Sequence, residues 1–213
     1  ILSSRLTDLH GVGLKEGLRR AIQSPRFILA LLSTVCFFIQ SFGTNLLWPF
    51  YLESGGISPA RVGLIMLVPP LILMTAGPFC GKLSDKVGYD RISWLGSITL
   101  MIASICQGVS GSVVVGLLGI GVGRALFQAA NNAAVLFNAP EGTTTVASGL
   151  LSIARVSGQA LGSVIAGTLW GVMEHSGTRH AFLVINLVLA GVAALSGMLI
   201  MGRGRFGQYS SGG

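Results

Sequence analysis

The chain has 213 residues, of which 51% are hydrophobic and only 10% charged, with a mean hydropathy of +0.75. A water-soluble domain carries about 25% charged residues, so this composition argues against a soluble globular fold and against the soluble catalytic and nucleic-acid-binding classes. The 31 glycines lie inside apolar runs without a collagen period, and the net charge of +7 comes from basic residues at the ends of those runs, so neither a fibrous or disordered chain nor a nucleic-acid footprint is indicated.

In chain order, the first residue is Ile1 and no signal-peptide pattern follows. A start without Met reads as a piece of something longer. Over residues 5–22, Leu14, Leu18 and Ile22 recur at four-residue spacing beside Lys15, Arg19 and Arg20. This pattern predicts an amphipathic helix on the inner leaflet. A solvated linker is the alternative, because Gly11, Gly13 and Gly17 weaken a helix. Residues 1–24 together form a cytoplasmic segment ahead of a membrane domain over 25–202, and residues 203–213 form a flexible cytoplasmic tail.

A bilayer core needs about 20 apolar residues of helix. Six stretches meet that length: 27–52, 62–81, 92–109, 112–137, 147–173 and 181–202. Ser24 and Pro25 supply an N-cap and a first-turn proline for the first span. The remaining breaks are a Gly/Ser/Pro turn at 54–59, a charged loop from Gly81 to Arg91, a tight turn at 108–111, and turn residues at 140–143 and 176–178. Cys36, Cys80 and Cys106 fit no metal or CxxC spacing and read as small apolar fillers.

Orientation follows from the basic residues. With a cytoplasmic N-terminus, Arg5, Lys15, Arg19, Arg20, Arg26, Lys82, Lys86, Arg91, Arg203 and Arg205 lie inside, and only Arg61 and Arg179 lie outside. That bias places both termini in the cytoplasm of a cell (plasma) membrane protein.

Two patterns suggest enzymes and are weak. Residues 108–111 spell GVSG, the serine motif of rhomboid-type proteases. Such a serine needs a histidine base within hydrogen-bond reach, and His10, His175 and His180 all lie in tails or loops. The glycine string Gly119, Gly121, Gly123 has no strand before it, so helix packing explains it better than nucleotide binding. No cofactor or metal site is indicated.

The intramembrane polar residues carry more information. Arg124, Gln128, Asn131 and Asn132 fall on one stripe of the fourth span, and Ser152, Arg155, Gln159 and Ser163 on one stripe of the fifth. The first span adds Gln40, Thr44 and Asn45. These three spans are expected to share a polar cavity, while the third and sixth face lipid. A buried arginine costs at least ~2.5–3.5 kcal/mol unless paired or hydrated, which makes both arginines functional suspects; the alternative is a helix-to-helix lock. At ~1.5 Å per residue, Arg124 lies ~20 Å into the fourth span, level with Gln40, while Arg155 lies at a depth near that of Asn131 and Asn132. No Asp or Glu falls inside a span, so a proton-loading carboxylate would have to lie elsewhere.

The loop GKLSDKVGYDR, from Gly81 to Arg91, is the most specific motif. Gly81, Leu83, Asp85, Lys86, Gly88 and Arg91 fit the signature between the second and third helices of a major facilitator superfamily half, and the chain resembles that family. Tyr89 and Asp90 depart from it. Independently of the family, Asp85 could cap a helix and latch one conformation, with Lys86 and Arg91 pairing across the inner face. The order of Gly56 to Leu64, Pro69 and Pro70, Gly77 and Pro78, Thr145 to Leu150, and Arg155 to Gly162 resembles the C-terminal half of fourteen-span drug:proton antiporters of the multidrug efflux type. Gly123 to Gln128 is similar to the arginine motif of the family's fourth helix. The proline usual beside the fifth helix glycines is absent.

The resemblance implies an all-α membrane protein, a six-transmembrane-helix bundle forming one half of a major facilitator fold. It implies secondary transport of a small solute by alternating access, with proton-coupled efflux first and uptake or exchange of a neutral or anionic solute second. Arg124 would then act in proton relay or gating, and Arg155, Gly158, Gln159 and Gly162 in helix packing and coupling. The partners implied are a small-molecule solute, protons, the lipid bilayer, and the other six-helix half or a second copy, with no nucleic acid. A non-transporting scaffold is the remaining alternative, and it would not need polar stripes on three spans.

Overall fold

A helix can cross a bilayer because it satisfies its backbone hydrogen bonds within itself. The computed structural model describes residues 18–19, 22–139 and 143–208 and contains six spans long and apolar enough to do so among them. They are α1 (Pro25–Ser54), α2 with α3 (Pro59–Ile65 and Val68–Val87), α4 (Tyr89–Ser110), α5 (Val113–Phe137), α6 (Thr144–Met173) and α7 (Thr178–Gln208), with a 3-10 turn at Glu174–Ser176. The protein is an all-α integral membrane protein. The amphipathic segment expected over residues 5–22 lies outside the described residues apart from 18, 19 and 22.

Local chemistry sets the boundaries. Ser24 Oγ accepts a hydrogen bond from the Phe27 amide at 3.4 Å, and Pro25 occupies the first helical position. The second span is broken rather than continuous. Pro69 and Pro70 have no amide to donate to the carbonyls one turn earlier, so the helix lapses at Met66 and Leu67 and restarts at Val68. The expected charged loop is also mostly helix. α3 runs on through Asp85 and Lys86 to Val87, Gly88 makes the turn alone at φ +105°, and α4 begins at Tyr89. Only glycine adopts that backbone without strain. At the far end, α7 continues to Gln208, past the expected boundary at 202; residues 209–213 lie outside the described chain.

α1 packs against α6 on one side and α7 on the other; α4 packs against α5 and α7; α3 rests mainly on α5. Two rows of helices therefore diverge from α7, α1–α6 and α4–α5–α3. α5, by contrast, packs only thinly against α1 and α6. The core holds Phe37, Trp48, Phe127, Phe182 and Ile185, with the Phe37 and Phe127 rings stacked at 3.6 Å between α1 and α5. Gly158 and Gly162 let α6 lie on the α1 backbone. A Cβ at Gly158 would stand 2.7 Å from the Val35 carbonyl oxygen, and one at Gly162 would stand 2.8 Å from Ile39 Cα. The second span is the least buried of the six.

Candidate functional site

The polar stripe of α5 looks across the thinly packed face toward α1 and α6. Arg124, half-buried, donates through Nε to Ser41 Oγ on α1, and its guanidinium lies 4.8 Å from the Phe42 ring centroid. No carboxylate pairs with it among the described residues. A cation over an aromatic face gains about 0.5–2 kcal/mol, which offsets only part of its desolvation. Gln128 and Asn132 follow on the same stripe and are also half-buried. Asn132 Oδ1 accepts from Arg155 Nη2 on α6 at 3.3 Å, and the Arg155 guanidinium sits 5.7 Å from the Phe38 ring centroid. Arg155 and Asn132, expected at neighbouring depths, do meet.

Other expected cavity residues point into the bundle instead. Gln40 and Thr44 are fully buried: Gln40 Nε2 donates to Ser104 Oγ on α4 at 2.7 Å and to Thr44 Oγ1 at 3.3 Å. They sit on the side of α1 that meets α4, so their bonds tie helices and do not face an opening. Asn45, one residue on, remains half-buried. Asn131 is also fully buried, donating through Nδ2 to Thr34 Oγ1 on α1 at 2.7 Å. Gln159 is half-buried beside the Gly158 and Gly162 contact on α6.

The third and sixth spans, read as able to face lipid, do so with one side only. α4 and α7 each bury a polar face and expose an apolar one. Gln107 Nε2 donates to Asn186 Oδ1 at 2.5 Å, Ser97 and Ser196 hydroxyls lie 3.2 Å apart, and Ser196 donates to the Ser33 carbonyl on α1. Leu95, Ile102, Leu187 and Met198 remain on the exposed side.

At one end of the bundle lies a site that the sequence pattern did not single out. Arg203, assigned to a tail, is only 1% exposed. Its Nη2 meets Asp90 Oδ1 at 2.5 Å and its Nη1 donates to Asn131 Oδ1 at 3.2 Å. Through Asn131 and Thr34 the chain of contacts links α7, α4, α5 and α1. The available signal was Asp90 itself, an acid at a position where the resemblance favours a base.

The loop motif is corrected in one role. α4 has no side-chain cap; Asp85 instead accepts from the Tyr89 hydroxyl at 3.1 Å, in the open. Gly81 meets no neighbouring helix, and Lys86 and Arg91 are exposed without an ion pair among the described residues. The Ser110 hydroxyl is engaged locally, donating to the Cys106 carbonyl and accepting from the Ser112 amide. The glycine string packs against Ala103, Ile72 and Leu100.

The family model described as Major Facilitator Superfamily matches residues 27–208. The chain is 30% identical over 190 residues to the "Uncharacterized transporter YebQ" of Escherichia coli (strain K12), covering 84% of this chain and 41% of that protein. It is 29% identical over 140 residues to the "Riboflavin transporter RibZ" of Clostridioides difficile (strain 630), covering 62% of this chain and 30% of that one. With the "Uncharacterized MFS-type transporter YwoD" of Bacillus subtilis (strain 168) it shares 27% identity over 180 residues, 81% of this chain and 38% of the relative. The chain thus spans well under half the length of these curated relatives.

Proposed function

This chain belongs to the major facilitator superfamily, and on that premise we propose that it is the C-terminal six-helix half of a secondary transporter in the plasma membrane. Both termini are cytoplasmic in this reading. Two such halves place a solute site between them at midplane, and rocking of one against the other gives alternating access. The face where α5 meets α1 only thinly is the side this half offers to the pathway, with α3 and α6 flanking it. Asn45, Arg124, Gln128 and Asn132 line it. Asp85 and the exposed Lys86 supply charges for a latch to the missing half.

The observation that carries the reading is Arg124, a guanidinium deep in a span with a hydroxyl and a ring for company and no counter-charge. Such a charge is retained where water, a partner or a substrate solvates it. It can bias a proton-loading carboxylate in the other half, which supports proton-coupled efflux. It can equally hold an anionic or strongly polar solute, the basis of the second reading, uptake or exchange. The similarity to a protein named as a riboflavin transporter favours keeping that second reading.

The test is transport by the full-length protein in proteoliposomes, with ethidium under an imposed pH gradient for efflux and riboflavin for the second reading. Arg124→Ala abolishes transport, and Arg124→Lys restores part of it, because Lys keeps the charge but loses the planar fork. Wild-type transport by Arg124→Gln would remove the charge from the mechanism. Topology is tested by cysteine labelling of Lys86→Cys and Ser54→Cys in intact cells. Labelling of the first from outside overturns the orientation.

A further inference from the structure

Two cavities meet at the end of the bundle that carries Gly88. The first, of about 300 Å³, lies between the start of α1, the Gly88 turn and the ends of α5 and α7; Arg26, Asp90, Arg91, Asn138 and Arg203 supply its polar walls. The second, of about 260 Å³, is an apolar groove on the lipid side between α4 and α7, lined by Asp90, Arg91, Trp94, Ile200 and Met201. Asp90 and Arg91 line both, so the charged chamber and the apolar groove lie side by side at this corner of the bundle.

We propose that this composite site holds one anionic phospholipid, its phosphate against Arg91 at the mouth of the chamber and one acyl chain along the Trp94, Ile200 and Met201 groove. Arg91 and Arg203 against Asp90 leave these described walls of the chamber positive, so the headgroup that fits carries net negative charge. Asp90 and Arg203 neutralise each other at 2.5 Å. Arg91, exposed and without an ion pair among the described residues, is the group left to meet the phosphate. The level is right for a headgroup: the site is at the helix ends, where Trp94 sits as interfacial aromatic residues do. The groove accounts for the tail, which a free phosphate lacks. The lipid would also lie against the Asp90 and Arg203 contact, so its occupancy stabilises the end of the bundle where four helices are tied.

The experiment uses the full-length transporter, delipidated in detergent and titrated separately with phosphatidylglycerol, phosphatidylcholine of the same chains, and inorganic phosphate. Native mass spectrometry counts bound lipid and a thermal melt reads stabilisation. Phosphatidylglycerol is expected to bind saturably and raise Tm, while phosphatidylcholine and phosphate do neither. Arg91→Gln should weaken phosphatidylglycerol binding about fivefold, the effect of one basic side chain at an anionic membrane surface. Met201→Trp, which fills the groove from its exposed side, should remove the tightest lipid while Arg61→Gln at the opposite end leaves it. Equal binding of phosphatidylcholine, an equal shift with phosphate alone, or unchanged lipid binding in both Arg91→Gln and Met201→Trp each overturns the proposal. The wild-type lipid comparison decides even if a variant fails to fold.

Discussion

Arg124 and Arg203 are both arginines withdrawn from water by the same bundle, yet their surroundings differ. Arg203 has a carboxylate at 2.5 Å and an amide oxygen at 3.2 Å, and is 1% exposed. Arg124 has one serine hydroxyl and the face of Phe42, and stays half-buried. Burying a charge is tolerable when its partner and hydrogen bonds are in place. Arg203 meets that condition within this chain and ties four helices together. Arg124 does not, and the missing interaction has to come from water, solute or another part of the transporter. One arginine belongs to the scaffold, and the other is the one we propose faces the pathway.

The comparison breaks first at Asp90. Asp90→Asn leaves the Arg203 guanidinium buried without a counter-charge, and the expected loss is about 3–5 kcal/mol, read as a large fall in Tm of the purified full-length protein. Arg203→Met removes the charge and fills the space, leaving Asp90 at the surface with 41% of its side chain exposed. Its loss should be smaller, about 2 kcal/mol, because an exposed carboxylate is resolvated. If Arg203→Met destabilises more than Asp90→Asn, desolvated charge is not what governs this end of the bundle.

Packing tests come next. Gly162→Ala drives a methyl into the α1 backbone at Ile39, and overpacking of that kind costs about 1–3 kcal/mol. Gly149→Ala on the same helix meets nothing within 4 Å and is neutral within about 0.5 kcal/mol. Equal melting temperatures for the two variants would deny the close α1–α6 contact.

The sharpest contrast is with Arg124→Gln. Its melting temperature should fall by less than that of either variant of the Asp90 and Arg203 pair, while transport is lost. A Tm loss as large as that of Asp90→Asn would place Arg124 in the scaffold too. The smallest effect is expected at the exposed contact: Asp85→Ala and Tyr89→Phe each change stability by no more than about 0.5 kcal/mol, and by similar amounts, since both remove the same hydrogen bond.

The residues show why some of this was legible in the sequence. The Ser24 and Pro25 start of α1, the six apolar stretches and the α5 stripe follow from spacing and composition, because a helix in lipid closes its own hydrogen bonds whatever lies beside it. The similar depth of Arg155 and the two asparagines was legible too, but which asparagine it meets was not. The side toward which Gln40 and Thr44 turn did not follow, since α1 is surrounded by helices and its polar residues could have met α4 or an opening. Asp90 and Arg203 stand more than a hundred positions apart, and their contact depends on α4 and α7 packing side by side.

The sequence by itself determined that six stretches are long and apolar enough to cross a membrane, where the first helix begins, and which polar residues share a stripe, because those properties depend on local hydrogen bonding and on the 3.6-residue period. Only the tertiary structure decided which charges are compensated. Each arginine has the same desolvation cost in isolation, and what distinguishes them is the neighbour that a distant helix supplies: Asp90 at the start of α4 for Arg203, and no carboxylate in the described chain for Arg124.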